Sequence, residues 1–252
     1  LNLWIHLFIL FIKEMSLVHL IFGIVPAILL KVNSEAFISE TNITVSEEIR
    51  SQPCVKGETI AFYEKGFLGG VHIVRHDVDS TADSPLEVKG IAYGSPCINV
   101  IGGKEYVAFV TQAGELTVWD KDNNIAQYFP SQLNGIFYLN VIAADEFFFA
   151  LSSDGRIFRI DKNNNKLIIS IPYLKAKSGF LKAFDYNNDG KEEIFICGEG
   201  NSIYGFDTSL QMLEGFPVAG YGEPVFVDVN GDRKNDCLVL SLDDTLKAIK
   251  VR

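Results

Sequence analysis

The feature that most constrains the fold is a repeat of about 43 residues. Each copy has an apolar run, a turn, a second alternating run and a closing residue. The closing residues are Asp77, Asp120, Asp161, Asp207 and Lys250, so the spacings are 43, 41, 46 and 43. Short runs rich in Val, Ile and Phe that are joined by Gly or Asp turns predict β-hairpins. A regular period of this kind is typical of proteins in which repeated units stack on one another.

A further strand on each side of the hairpin completes the copy. Cys54 and Cys97 mark equivalent strands before two of the hairpins, and Lys166–Ile171 predicts a strand after another. Four short strands per copy match the blade of a β-propeller, and one such sheet cannot bury both of its faces alone. We therefore expect an all-β fold, a β-propeller of about five four-stranded blades that is a complete ring or part of a larger one.

The front of the chain is different in composition. Residues 1–30 are almost entirely apolar, and only Lys13 and Glu14 interrupt them with full charges. We expect a hydrophobic helix that serves as a signal peptide, with cleavage after Ala36, or as an uncleaved membrane anchor, and a buried core helix is the alternative. The expected domains are residues 1–36 for this segment and 37–252 for the propeller, whose blades close near residues 77, 120, 161, 207 and 250.

These boundaries carry two further expectations. The chain would be secreted, periplasmic or at the cell surface, and it would contact a membrane only through residues 1–30. The last copy shows only three strands, and Phe37–Val45 is a candidate for the missing outer strand.

The net charge of −10 belongs to the residues after position 36, because the charges before it cancel. An acidic surface repels phosphate backbones, so nucleic acid is not an expected partner.

Two loops of the late copies concentrate acidic and amide side chains. They read FDYNNDGKEEIFI and VDVNGDRKNDCLV, and both place oxygen-bearing side chains at positions 1, 3, 5 and 9 after the first letter. Alternate residues of a tight loop converge on one point, and Ca²⁺ prefers hard oxygen ligands. The predicted ligands are Asp185, Asn187, Asp189, the carbonyl of Lys191 and Glu193 in the first loop, and Asp228, Asn230, Asp232, the carbonyl of Lys234 and Asp236 in the second.

The two loops are not equal. Gly190 allows a sharp turn in the first loop, whereas Arg233 stands at that position in the second and adds a positive charge. We expect weaker Ca²⁺ binding in the second loop. The alternative for both is a pair of Asx-rich turns that hold no metal.

The stretch FDYNNDGKEEIFICGEGNSIYGFD, followed by Gly215–Val218, resembles the FG-GAP/VCBS type of repeat, which occurs in integrin α-chain propellers and in many secreted bacterial proteins. The resemblance is strong over residues 181–252 and holds only at the level of the repeat over residues 58–180. It implies a β-propeller with Ca²⁺ in blade loops and a role in adhesion or ligand binding. The earlier copies lack the metal loops, so the resemblance extends Ca²⁺ binding to these two loops only.

Catalysis finds little support in the sequence. Glycosidases with a propeller fold need a pair of carboxylates at the axis, but the strands expected there contain one acid, Glu223. We therefore expect a non-catalytic binding or adhesion module for an extracellular protein or polysaccharide. The alternatives are a carbohydrate-active enzyme of the hydrolase or lyase type and a structural subunit of a cell-surface assembly.

Cys54 and Cys97 occupy equivalent places in adjacent copies and are either a disulfide or two buried thiols.

Overall fold

The computed structural model describes strands within residues 7–10, 17–22, 27–33, 37–43 and 48–49, and then residues 51–65, 70–75, 85–241 and 243–250. Every regular element in these residues is a β-strand. The chain divides into two compact units, Leu1–Ile91 and Ala92–Arg252. The expected all-β class is confirmed.

The first unit contains two antiparallel sheets. Strands β1 to β4 follow one another in chain order in the first sheet. The second sheet has the order β5-β7-β8-β9, and β6 also pairs with β7. The strands are β1 (Leu7–Leu10), β2 (Leu17–Phe22), β3 (Ala27–Asn33), β4 (Phe37–Ile43), β5 (Glu48–Ile49), β6 (Cys54–Lys56), β7 (Thr59–Lys65), β8 (Gly70–Arg75) and β9 (Leu86–Glu87).

The start of the chain differs from the helix expected there. Its described residues form β1, β2 and β3, and the rest of residues 1–36 lie outside the described residues. An apolar run without a clear period does not distinguish a strand from a helix by sequence, and Gly23 and Pro26 are both unfavourable inside a long helix. No helix among the described residues is long and apolar enough to cross a membrane.

The described part of Phe37–Val45, the candidate outer strand of the last copy, forms β4 at the edge of the first sheet. Phe37–Ile43 pairs with β3, and Ala27 lies opposite Ile43. One edge of β4 is therefore paired within the first sheet.

The second unit contains four antiparallel sheets, each in chain order. We number them I (β10–β13), II (β14–β17), III (β18–β21) and IV (β22–β24). Sheet IV has three strands, as the shorter last copy predicts. The strands are β10 (Cys97–Ile101), β11 (Lys104–Val110), β12 (Glu115–Asp120), β13 (Ser131–Gln132), β14 (Ile142–Ala144), β15 (Phe147–Leu151), β16 (Arg156–Ile160), β17 (Lys166–Ser170), β18 (Phe180–Phe184), β19 (Glu193–Cys197), β20 (Ser202–Phe206), β21 (Val218–Ala219), β22 (Tyr221–Val227), β23 (Asp236–Leu240) and β24 (Leu246–Ile249).

The core of the second unit lies between successive sheets. Phe148 packs in a cluster between sheets I and II, whereas its neighbour Phe149 packs in a cluster between sheets II and III. On β19, Ile194 belongs to the cluster between sheets II and III, and Phe195 to the cluster between sheets III and IV. All four side chains are at most 1% exposed. Sheets II and III are thus covered on both faces, which is the reason for the nearly continuous apolar runs in their second strands.

Candidate functional site

The closing aspartates organise the turns that follow the third strands. Asp120 is the last residue of β12, and Asp161 and Asp207 directly follow β16 and β20. In each turn, Oδ1 of the aspartate accepts hydrogen bonds from the backbone N–H groups two and four residues later, at 2.8–3.0 Å. The residue three positions after the aspartate has a left-handed backbone, with φ of 62–64°. All three copies therefore have an Asx turn at the closing aspartate.

The first acidic loop joins β18 to β19. Asp185 accepts hydrogen bonds from the backbone N–H groups of Asp189 (3.1 Å) and Gly190 (2.9 Å). The side-chain amide of Asn187 donates to Asp189 Oδ2 at 3.2 Å and to Glu193 Oε1 at 3.3 Å. The structure thus brings together the side chains that the sequence places at positions 1, 3, 5 and 9.

Glu193 is the buried member of this loop. It is the first residue of β19, is 5% exposed, and accepts a hydrogen bond from the N–H of Tyr186 at 3.1 Å. Burial, together with the charges of Asp189 and Asp185, raises the pKa of Glu193 to about 7. A partly desolvated carboxylate beside two others is an electrostatic arrangement that a bound cation stabilises.

The second acidic loop joins β22 to β23 and repeats this pattern. Asp228 accepts hydrogen bonds from the N–H groups of Gly231, Asp232 and Arg233 at 2.7–3.1 Å. The amide of Asn230 donates to Asp236 at 3.4 Å, and Asp236 is 5% exposed. Carboxylate and amide side chains at the same spacing therefore form similar hydrogen bonds in the loops of two successive sheets.

One contact distinguishes the two loops. The ammonium of Lys250 lies 2.6 Å from Asp232 Oδ2. The hydrogen bond from this ammonium is the main reason for the lowered pKa of Asp232. Lys250 stands where the other copies have the closing aspartate, so the second loop carries a positive partner that the repeat does not normally provide. The sequence shows this exception, but not the residue that Lys250 contacts.

The donor set of the first loop fits Ca²⁺. Its carboxylates and the Asn187 amide carry the hard oxygens that Ca²⁺ prefers, and the carbonyl of Lys191 at position 7 would add another. In this structure the Asn187 amide nitrogen donates to Asp189 and Glu193, and these N–H groups would give way to a bound cation. Among the described residues, no group of three or more His, Cys, Asp or Glu side chains could by itself hold a metal ion. Site formation by these loops therefore depends on the amide and carbonyl oxygens as well as on the carboxylates.

The four cysteines are thiols and form no disulfide with one another in this structure. Cys54 is half-buried in the first unit, and Cys97 is buried in the second. Cys197 and Cys237 are core residues, as the sequence predicts, with 2% and 0% exposure. Burial raises the pKa of the Cys237 thiol to about 12, which makes it a poor nucleophile.

The first strands of the sheets are where a propeller glycosidase would carry its pair of carboxylates. Among the described first strands of sheets I to IV, Glu223 on β22 is the sole acidic residue. It forms an exposed ion pair with Lys182 on β18. The second carboxylate of a glycosidase pair is thus not found on these strands.

The sheets define a class of fold, and comparisons of structure agree with it. A crystal structure of BBS1N in complex with ARL6DN, soaked with lead, matches 93% of this chain and 75% of that chain, with a TM-score of 0.61 and 9% identity. BamB from Moraxella catarrhalis matches 92% of this chain and 69% of that chain, with a TM-score of 0.51 and 15% identity. The computationally designed Ika8 protein matches 96% and 70%, with a TM-score of 0.55 and 11% identity.

These likenesses, together with the successive antiparallel sheets, show a β-propeller fold. At such identities they concern the fold alone. No known family matches the sequence, and no curated protein is significantly similar to it.

Proposed function

We propose that this chain is a Ca²⁺-binding β-propeller that acts as a non-catalytic binding module for a protein ligand. The observation that carries the metal assignment is the first acidic loop, where Asp185, Asn187, Asp189 and the buried Glu193 converge. The resemblance of residues 181–252 to FG-GAP/VCBS repeats supports the same assignment. Bound Ca²⁺ would neutralise these carboxylates and brace the β18–β19 loop.

The protein-binding role rests on exposed side chains of the turns. Ile125, Tyr128 and Met212 follow the closing aspartates and are 49–56% exposed. Exposed apolar and aromatic residues on loops that a rigid sheet positions are typical of recognition surfaces. The structurally similar BBS1N was crystallised in complex with another protein, ARL6DN, which makes a protein ligand a better-supported proposal than a polysaccharide.

We also propose export, on the basis of the apolar residues 1–30.

The metal assignment is tested by thermal unfolding of the full chain in Ca²⁺ and in chelator. We expect Ca²⁺ to raise the melting temperature, because an ion that binds only the folded state stabilises it. Asp189→Asn should remove most of this shift. Asp232→Asn is the matched variant of the second loop and should remove less, because Lys250 already neutralises Asp232.

Three results would contradict the proposal. An unchanged melting temperature in Ca²⁺ would remove the metal assignment. An equal effect of the two variants would remove the distinction between the loops. Release of product from any of a panel of polysaccharides would show that the module is catalytic.

A further inference from the structure

The second unit has a cleft at the edge where the sheets end in turns. Its volume is about 430 Å³, within the roughly 300–1,000 Å³ of small-ligand pockets. Three segments surround it: the β10–β11 turn at Gly102, the turn that runs from Asp120 to Tyr128 in sheet I, and the Lys162 turn of sheet II. The cleft is separate from both acidic loops, which follow β18 and β22.

The next junction between sheets shows that such a cleft is not a general feature of this repeat. There, Thr208 donates a hydrogen bond from its hydroxyl to Asp145 Oδ2 at 2.9 Å. Its carbonyl accepts another from Arg159 Nη1 at 3.2 Å, and the Arg159 guanidinium stacks on the Phe147 ring at 4.4 Å. These contacts tie the Thr208 turn of sheet III to the β14–β15 turn of sheet II.

The equivalent residues at the cleft cannot form this tie. Lys162 takes the place of Thr208, because each directly follows the closing aspartate. Gly102 takes the place of Asp145, because each is the first residue of its turn and has a left-handed backbone, with φ of 57° and 48°. Gly102 has no side chain to accept a hydrogen bond, so the two turns stay apart. The cleft also has Val118 and Lys104 at the positions of Arg159 and Phe147, so none of the three contacts of the closed junction can form there.

The charges around the cleft point to the ligand. Asp122 forms an ion pair with Lys121 at 2.7 Å. Asp120 accepts hydrogen bonds from two backbone N–H groups of its own turn, and Glu105 also has an interaction partner. In contrast, Lys104 and Lys162 have no ion-pair partner among the described residues, although the protein as a whole is strongly acidic. The three lysines and three carboxylates of the lining cancel in formal charge, but Lys104 and Lys162 are the ammonium groups that remain available to the carboxylates of a ligand.

Two tyrosines give the cleft an aromatic surface that apolar atoms of a ligand can contact. Tyr106 and Tyr128 line the same cleft, and Tyr128 is 56% exposed. The carbonyl of Tyr128 accepts a hydrogen bond from Asn164 of sheet II at 3.1 Å, which holds the rim in place. We propose that this cleft binds a short acidic segment of a partner protein, with its carboxylates on Lys104 and Lys162 and its apolar atoms on the tyrosines. This rests on the proposed role as a protein-binding module.

The test is a titration of the full chain, in Ca²⁺, with acetylated hexapeptides that carry two glutamates beside leucine and tyrosine. The same peptides with glutamine serve as the uncharged set. We expect the acidic set to bind at least about tenfold more tightly, which corresponds to about 1.4 kcal/mol. Lys104→Gln and Lys162→Gln should each weaken this binding about tenfold. Lys177→Gln, an exposed lysine outside the cleft, is the control and should leave it unchanged.

A double variant tests the origin of the cleft. Gly102→Asp with Lys162→Thr introduces the hydroxyl–carboxylate pair of the closed junction, and its reference is Lys162→Thr alone, which lacks the same ammonium. Gly102 has a left-handed φ of 57°, a conformation that Asp145 also adopts at 48°, and a Cβ there would meet no atom within 4 Å. The double variant should abolish the peptide binding that remains in Lys162→Thr while the unfolding transition stays intact, and the single lysine variants decide the matter should this variant not fold.

Equal binding of both peptide sets, no binding of either set, or tight binding of oligogalacturonate in place of the acidic peptides would overturn the proposal. A Ca²⁺-dependent melting shift without peptide binding would overturn the cleft assignment alone. Peptide binding without that shift would overturn the metal assignment alone.

Discussion

At the scale of single residues, Glu193 shows how burial changes the pKa of a carboxylate. The sequence places it ninth in an acidic loop, where it reads as one more oxygen ligand. The structure also makes it the first residue of a fully buried strand. Its carboxylate is therefore desolvated next to Asp185 and Asp189, and its pKa rises to about 7.

This pKa predicts how stability depends on pH. The ordinary value of 4.5 is raised to about 7 in the folded state, so the folded chain binds more protons than the unfolded chain between these values. Without Ca²⁺, the contribution of Glu193 to stability should therefore fall as pH rises through this window. Melting curves of the wild type and of Glu193→Gln in chelator, between pH 4.5 and 8, would show a downward slope in the wild type that the variant lacks.

Two controls sharpen this measurement. Glu199→Gln removes one charge from an exposed turn and should keep the wild-type slope. Saturating Ca²⁺ should flatten the wild-type curve, because the ion favours the ionised carboxylate. Parallel curves for the wild type and Glu193→Gln would refute the assignment of this titration.

At the scale of elements, the aspartate turn is the unit that repeats most faithfully. Three turns share the same two hydrogen bonds to Oδ1, although the residues after Asp207 differ from the nearly identical ones after Asp120 and Asp161. Two of them are also followed at the same distance by a cis Phe–Pro bond, at Phe129–Pro130 and Phe216–Pro217. A side chain that satisfies backbone donors can thus define a turn without help from the rest of the fold.

Asp161 allows this to be measured. Asp161→Ala removes the acceptor of the two hydrogen bonds from Asn163 and Asn165, both 2.8 Å. By analogy with the loss of a helix cap, we expect a cost of about 0.5–2 kcal/mol. Asp161→Asn keeps an oxygen at the same place and should cost clearly less. Urea unfolding of the three proteins would give these values, and equal losses for both variants would show that charge, not hydrogen bonding, stabilises the turn.

At the scale of the molecule, the sheets of the second unit are stable because each covers its neighbours. Phe148 and Phe149 are adjacent in the chain, yet they fill two different clusters on opposite faces of sheet II. If one face of sheet II were exposed to solvent, apolar and polar residues would alternate along β15. Its sequence FFFAL does not alternate, and stacking on both sides is the reason.

Core truncations test this arrangement. Phe148→Ala and Phe149→Ala should each lower the free energy of unfolding by about 3–5 kcal/mol, because each leaves a cavity in a fully buried cluster. Leu167→Ala, on the outer strand β17 and 38% exposed, should cost less than about 1 kcal/mol. Denaturant unfolding monitored by circular dichroism would measure all three. A small effect at one of the two phenylalanines would mean that one face of sheet II is not a core.

Local patterns made much of this protein predictable. Residue spacing was sufficient to predict the hairpins and the turns at Asp120, Asp161 and Asp207, because they form between residues close in sequence. The same holds for the hydrogen bonds within the two acidic loops. The apolar residues before Asn33 were not predictable in the same way, because their composition suits a helix as well as the strands that the structure contains. The pairing of β4 with β3 depends on which partners are near in space, and no local pattern records that.

The sequence by itself determined the repeat, the β-class and the oxygen ligands offered to a cation, because each follows from side chains within one short segment. Only the tertiary structure decided which contacts differ between the repeats. Lys250 neutralises Asp232 across 18 residues, and Thr208 reaches Asp145 across 63, whereas Gly102 leaves the equivalent junction open. Such differences arise from contacts between distant residues, and chain folding alone brings those residues within hydrogen-bond distance.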